Sequence, residues 1–184
     1  MNDTAAVNIR AVELIEAPQL GALARQTYQA TWGDEMSPDH LAHIYATELS
    51  DAHFAHLLQF EFALVAVQNA HWLGYVHFGD YPASAATPDA AEDAGEIHRL
   101  YVHPDRHNGG LGGQLLRAAL DHPRMHVRAE VYLHVWETNF GAQRLYQRYG
   151  FFPVGRRPEY NPQGQHTGDD IIMCRRQQSS AAPG

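Results

Sequence analysis

Between Val102 and Leu116 the chain reads VHPDRHNGGLGGQLL, with glycine at 109, 110, 112 and 113. A β-like run precedes the cluster, and apolar residues at helical spacing follow it. So much bare backbone at a strand-to-helix junction suits few arrangements. A helix start leaves N–H groups unpaired and carries partial positive charge. Glycine lets the chain approach a ligand closely and take positive φ. Strand, glycine turn and helix together therefore form an anion site of the kind that holds phosphate. Two standard phosphate motifs fail here. A P-loop needs Lys followed by Ser or Thr, which does not occur, and a dinucleotide fingerprint counted from Gly110 meets Leu115 where its third glycine belongs. Taken alone, the glycines also suit a plain surface turn.

The rest of the sequence narrows the ligand. With 184 residues and 45% hydrophobic content the chain reads as one folded domain over 1–176, with a disordered tail, QQSSAAPG, over 177–184. No apolar stretch approaches the roughly 20 residues that span a bilayer, and the N-terminus lacks a secretory pattern. Cys174 is the single cysteine, so no internal disulfide forms and a cytoplasmic location is expected. The formal charge of −8, with no basic run, argues against nucleic acid. It leaves room for a cationic substrate, but simple solubility is the weightier reading of an acidic balance. Thirteen histidines are scattered along the chain. His98 and His103 differ in parity and would face opposite sides of a strand, and no cluster has zinc-like spacing, so no metal is expected.

Periodicity places a strand at 7–13, a helix from Pro18 to about Ala30, and a second helix from Ser37-Pro38 to about Leu49. Ser50 caps a third helix through Leu58. Strands at 61–68 and 71–80 flank Asn69-Ala70 as a hairpin. A loop at 81–94 leads to the strand 95–104, and the helix 110–121 follows the glycines. A strand at 130–136, a helix from Asn139 to Tyr149 and two short strands near 152–159 and 169–175 complete a mixed α/β order.

Set without gaps, Val102-x-Pro104 followed by His107-Asn108-Gly109-Gly110-Leu111-Gly112 resembles the acetyl-CoA loop of the GNAT N-acetyltransferases, commonly [QR]-x-x-G-x-[GA]. His107 stands where that pattern has Gln or Arg, and Arg106 lies one residue early. A second stretch, LHVWETNFGAQRLYQRYGFFPVG, resembles the family's N-x-x-A-x-x-x-Y-x-x-x-G-F signature at Asn139, Ala142, Tyr146, Gly150 and Phe151. VWETN, EIHRLYV and the N-terminal ARQTYQATWGDEMSPDHLAHIYATELS are further similar to the bacterial spermidine/spermine N-acetyltransferase group. The resemblance covers about residues 7–176.

This resemblance implies the GNAT fold: a central mixed, twisted β-sheet flanked by helices, with CoA held at a β-bulge, glycine turn and helix N-terminus. It implies acetyl-CoA as cosubstrate, no metal, and direct transfer of acetyl to a primary amine. Leu100, Tyr101 and Val102 would pair with the pantetheine arm as an added strand. His107, Asn108, Gly109, Gly110, Leu111, Gly112 and Gly113 would surround the pyrophosphate, and Asn139 joins the CoA-side residues. Tyr146 is expected as the acid for the departing thiolate, or else as a core aromatic. Glu96, through a water, is expected as the base, with His98 a rival on the same face; a solvated strand-end carboxylate is the plain alternative for Glu96. Tyr28, Thr31 and Trp32 fall on the acceptor side, where aromatic faces hold cations, and Glu92, Asp93 and Glu137 add negative potential. The expected partner is a small-molecule amine, polyamine-like in the first instance, with peptide, protein or antibiotic amines open and neither nucleic acid nor membrane involved. Dimers are common in the family, which leaves a homodimer open. A non-catalytic acyl-CoA-binding module and a nucleotide-binding regulator are the competing readings.

Overall fold

A computed structural model of the chain describes residues 6–82, 90–160 and 164–176. Among the described residues seven strands combine with helices in a mixed α/β architecture, ordered β1-β2-β3-β4-β5-β7-β6 in the sheet. In chain order they are β1 (Asn8–Ala11), β2 (Phe62–Gln68), β3 (His71–Asp80), β4 (Gly95–Val102), β5 (Glu130–Trp136), β6 (Phe152–Tyr160) and β7 (His166–Arg176). The helices are α1 (Ala17–Trp32), α2 (Pro38–Ala46), α3 (Asp51–Leu57), α4 (Leu111–Leu120), α5 (Pro123–His126) and α6 (Phe140–Arg148). Among the described residues no helix is long and apolar enough to cross a membrane. The chain divides into two compact units, Met1–Phe78 with Arg99–Leu120, and Gly79–His98 with Asp121–Gly184.

In the first unit β1 and β2 pair antiparallel, from Asn8↔Val67 to Ala11↔Leu64, and β2 turns into β3 through Asn69 and Ala70. Both turn residues take positive φ, 49° and 63°, which matches the right-handed twist of a two-residue hairpin. The first turns of α2 and α3 are held by serine hydroxyls: Ser37 accepts from the His40 amide and Ser50 from the His53 amide. One face of α1, with Leu20 and Ala24 fully enclosed, joins Phe54, Val65 and Tyr75 in the core. Each fully buried leucine of this kind stabilises by about 1.5–3 kcal/mol. Helix α4 packs against β2, with Leu115 and Leu116 fully buried.

The helix expected through Leu49 ends at Ala46 instead. Ser50 must be extended (φ −75°, ψ 152°) to cap α3, so the chain leaves the helix first. It does so through Thr47 (φ −109°, ψ −82°), and the Leu49 amide reaches back to the Ile44 carbonyl at 2.9 Å.

In the second unit β5 pairs with β7 antiparallel from Glu130↔Arg176 to Trp136↔Asp170, and β7 pairs with β6. Tyr132, Ile172 and Cys174 form a small core with Ala94, and Tyr81 stacks on Tyr132 at 4.5 Å. Cys174 is fully enclosed. The Tyr132 hydroxyl donates to Glu130 at 2.7 Å, as do the Ala91 amide and Arg176, which holds that carboxyl below its ordinary range. The short helix α5 was not foreseen: its cap is His122, whose Nδ1 accepts from the Arg124 amide at 3.3 Å. The expected tail at 177–184 lies outside the described residues.

Three histidines, His53, His122 and His134, are held below the ordinary imidazole value of 6.5, each first by burial. Their neutral forms are favoured by folding, so the unfolded chain binds more protons just below pH 6.5. Stability from these groups is complete above pH 6.5 and is lost as pH falls through their lowered folded values. A thermal melt series from pH 8 to pH 5 should show Tm level above 6.5 and declining below it.

Candidate active site

The glycine turn belongs to the first unit. After Val102 the chain makes a single 3-10 turn, Pro104–Arg106, and the His107 amide bonds back to the Pro104 carbonyl at 3.0 Å. Asn108 and Gly110 then take left-handed φ, 61° and 79°. The Gln114 amide donates to the Gly110 carbonyl at 3.1 Å as α4 begins. The amides of Leu111, Gly112 and Gly113 therefore precede the helical ladder and carry the positive end of the helix dipole. A Cβ at Gly110 would meet nothing within 4 Å. Glycine is favoured there by its φ, not by crowding.

His107, which stands where the motif has Gln or Arg, is engaged within the turn itself. Its Nε2–H donates to the Val102 carbonyl at 2.8 Å, which ties the turn to the last residue of β4. At the same strand end, a Cβ on Gly74 of β3 would come within 2.7 Å of the Tyr101 carbonyl and 3.0 Å of the Val102 Cα. The strands approach too closely there for any side chain, so Gly74 sets the path of β4 into the turn.

Two of the three residues expected on the acceptor side meet in this unit. The Trp32 indole donates to the Tyr101 hydroxyl at 3.2 Å, and the Tyr28 and Tyr101 rings lie 6.2 Å apart at 50°. Tyr101 also stacks on Tyr75 at 6.0 Å. Burial pushes the Tyr28 phenol well above its ordinary range, so it stays neutral. Thr31 spends its hydroxyl on the Thr27 carbonyl at 2.8 Å. Arg99 of β4 reaches the exposed carboxylate of Glu48 at 3.3 Å.

The second unit holds the remaining residues. Glu96 is only 9% exposed and lies 3.4 Å from His98 Nδ1; the solvated strand-end reading of this carboxylate does not describe it. Asn139 caps α6, its side-chain oxygen accepting from the Ala142 amide at 3.1 Å. Tyr146 is 7% exposed on α6, with its ring edge-on to Phe151 at 6.0 Å. Glu137 is already engaged, accepting from Arg156 at 3.1 Å and from the Asp169 amide at 3.2 Å. Glu92 and Asp93 are exposed.

The family model for the acetyltransferase (GNAT) family matches residues 17–151, a span that takes in the glycine turn, Glu96 and Tyr146. The chain belongs to the GNAT family. This GNAT chain is 27% identical over 164 residues to an uncharacterized N-acetyltransferase of Mycobacterium bovis, covering 88% of the chain and 98% of the relative. It is 43% identical over 60 residues to mycothiol acetyltransferase of Streptosporangium roseum, a match to 33% of the chain and only 18% of that longer protein. Among solved structures, the PaiA N-acetyltransferase of Thermoplasma acidophilum, crystallised with coenzyme A, superposes with a TM-score of 0.71. It is 17% identical and covers 94% of this GNAT chain and 100% of its own. The chain is thus an N-acetyltransferase with the GNAT fold.

Proposed function

We propose that this GNAT enzyme transfers the acetyl group of acetyl-CoA directly to a primary amine of a small molecule, with polyamines the first acceptors to test. The observation that carries this reading is the turn at Asn108–Gly113. Two left-handed residues and three amides ahead of the helical ladder make a cradle for a pyrophosphate. Acetyl-CoA is the cosubstrate. Leu100, Tyr101 and Val102 offer their backbone to its pantetheine arm, and Asn139 serves the CoA side by fixing the start of α6.

The chemistry has three requirements. The amine must lose a proton before it can attack, since an alkylammonium with a pKa of about 10.4 has no lone pair. Charge on the carbonyl oxygen must be met by donors, and the thiolate must be protonated as it leaves. Tyr146 supplies the last proton. Glu96, buried beside His98, draws protons away from the amine through water. The Tyr28–Trp32–Tyr101 cluster supports a cationic acceptor, because ring faces hold ammonium groups, and the −8 net charge favours the same sign. Glu137, with its charge already paired, contributes negative potential more weakly.

Thiol release from acetyl-CoA across spermidine, spermine, lysine, aminoglycosides and short peptides tests this. Release that depends on a small amine is the expected result. Release with peptides alone would move the acceptor to protein termini, and release with none would overturn the small-amine reading.

A further inference from the structure

We propose that His134 is the group that takes the proton from the acceptor amine and passes it to the Glu96–His98 pair. The inference rests on the acetyl-transfer reading and assigns a residue within that same reaction.

The placement comes from strand register. The parallel ladder between β4 and β5 runs only from Gly95↔Val131 to Ile97↔Leu133, although β5 continues to Trp136. His134 is the first β5 residue past the last pair. Alternation puts Tyr132, His134 and Trp136 on one face of β5. Glu96 stands opposite Tyr132 in the ladder, so Glu96 shares that face, and His98 has the same parity. The imidazole of His134 thus lies on the face shared by Glu96 and His98, where the ladder opens.

The second observation is independent of register. Both ring nitrogens of His134 are buried and without a hydrogen-bond partner among the described residues. Buried polar side-chain atoms nearly always have one, and a ring with both nitrogens unmatched by protein groups has its lone pair uncommitted. On the neighbouring strands Arg157 and Glu159 of β6 and Asp170 of β7 act on the ring, with Glu96 from β4. Arg157 is bonded to Glu159 at 2.8 Å and Asp170 at 2.9 Å, so its charge is largely met. Burial then dominates and keeps the imidazole neutral, with a lone pair available near neutral pH.

The step balances without a further reactant. The alkylammonium gives one proton to a His134 ring nitrogen, and the freed lone pair forms the N–C bond at the thioester carbonyl. The C–S bond breaks, the thiolate takes the Tyr146 proton, and the second proton from nitrogen restores the phenol. The His134 imidazolium returns its proton by way of Glu96 and His98 to solvent, for a net release of one proton.

The test is steady-state kinetics of the full chain between pH 5 and pH 9 with acetyl-CoA and the best acceptor of the amine panel. Wild type is expected to show an acid limb of kcat/KM below pH 6.5, and His134→Gln is expected to remove it and to lower kcat by about 10²–10⁴-fold. Tm and acetyl-CoA affinity should be unchanged. Glu96→Gln is expected to lower the rate less and to keep that limb. Wild-type turnover with His134→Gln within threefold of it, or an acid limb lost only in Glu96→Gln, overturns the inference and leaves the acetyl-transfer reading standing. Absence of thiol release by wild type overturns both. Should His134→Gln fold poorly, a ¹⁵N imidazole titration of wild type decides: a His134 ring neutral at pH 7 is expected, and one protonated there sinks the proposal.

Discussion

Tyr146→Phe should reduce kcat by about 10²–10⁴-fold, the range of a positioned general acid, while the dissociation constant for acetyl-CoA stays within twofold of wild type. The substitution is chosen because the ring itself is part of the structure. It is 7% exposed, packs edge-on to Phe151 and sits two residues before the end of α6. Phenylalanine preserves that ring packing and removes the hydroxyl, and with it the proton to be donated. A structural role predicts a lowered Tm with near-normal turnover, and a catalytic one predicts the reverse. Pre-steady-state thiol release together with a thermal melt separates them. Full activity in the phenylalanine variant would assign the thiolate's proton to water.

The second large effect is on binding. Gly110→Val should weaken acetyl-CoA binding by tenfold or more, measured by calorimetry, because a β-branched residue resists a φ of 79°. Holding that conformation with a side chain costs about 1–3 kcal/mol, and relaxing it turns the amides of Leu111–Gly113 away from the pyrophosphate. Gly109→Ala is the matched control one residue away. Its Cβ would meet only the Arg106 carbonyl at 3.6 Å, an ordinary contact, so affinity should change by less than twofold. Equal affinities for both variants and wild type would mean that the anion does not sit on this turn.

The caps and turns were legible in the sequence because each has a local cause. Ser37, Ser50 and Asn139 mark helix starts with side-chain acceptors, Gly150 closes α6 at φ 85°, and β3 and β5 begin and end where their largely apolar runs do. Helix α5 was missed since histidine is a rare cap, and α2 ran short because Ser50, three residues past its cap, had to serve the next helix. At the site, the glycine turn and Tyr146 carried motif spacing, and Tyr28 and Trp32 were brought to Tyr101 as one helical turn allows. The burial of Glu96 was not legible, since a carboxylate at the start of a strand usually faces water. His134 escaped for a related reason. Its only local trace is an imidazole in the apolar run VYLHVW, and what marks it, two nitrogens buried without partners, exists only after β7 and β6 have come back beside it in the fold.

The enclosed Cys174 has a practical and a chemical consequence. Burial raises its thiol above the ordinary value, with the Glu130 charge acting the same way, and thiolate character together with access governs sulfur reactivity. An enzyme that releases free coenzyme A in every cycle works amid a reactive thiol and its disulfides. Here the only protein sulfur able to exchange with them is held out of reach. A colorimetric thiol reagent should therefore read product alone while the chain stays folded, and oxidised coenzyme A should act on the native enzyme as a reversible competitor, with no covalent tether to remove.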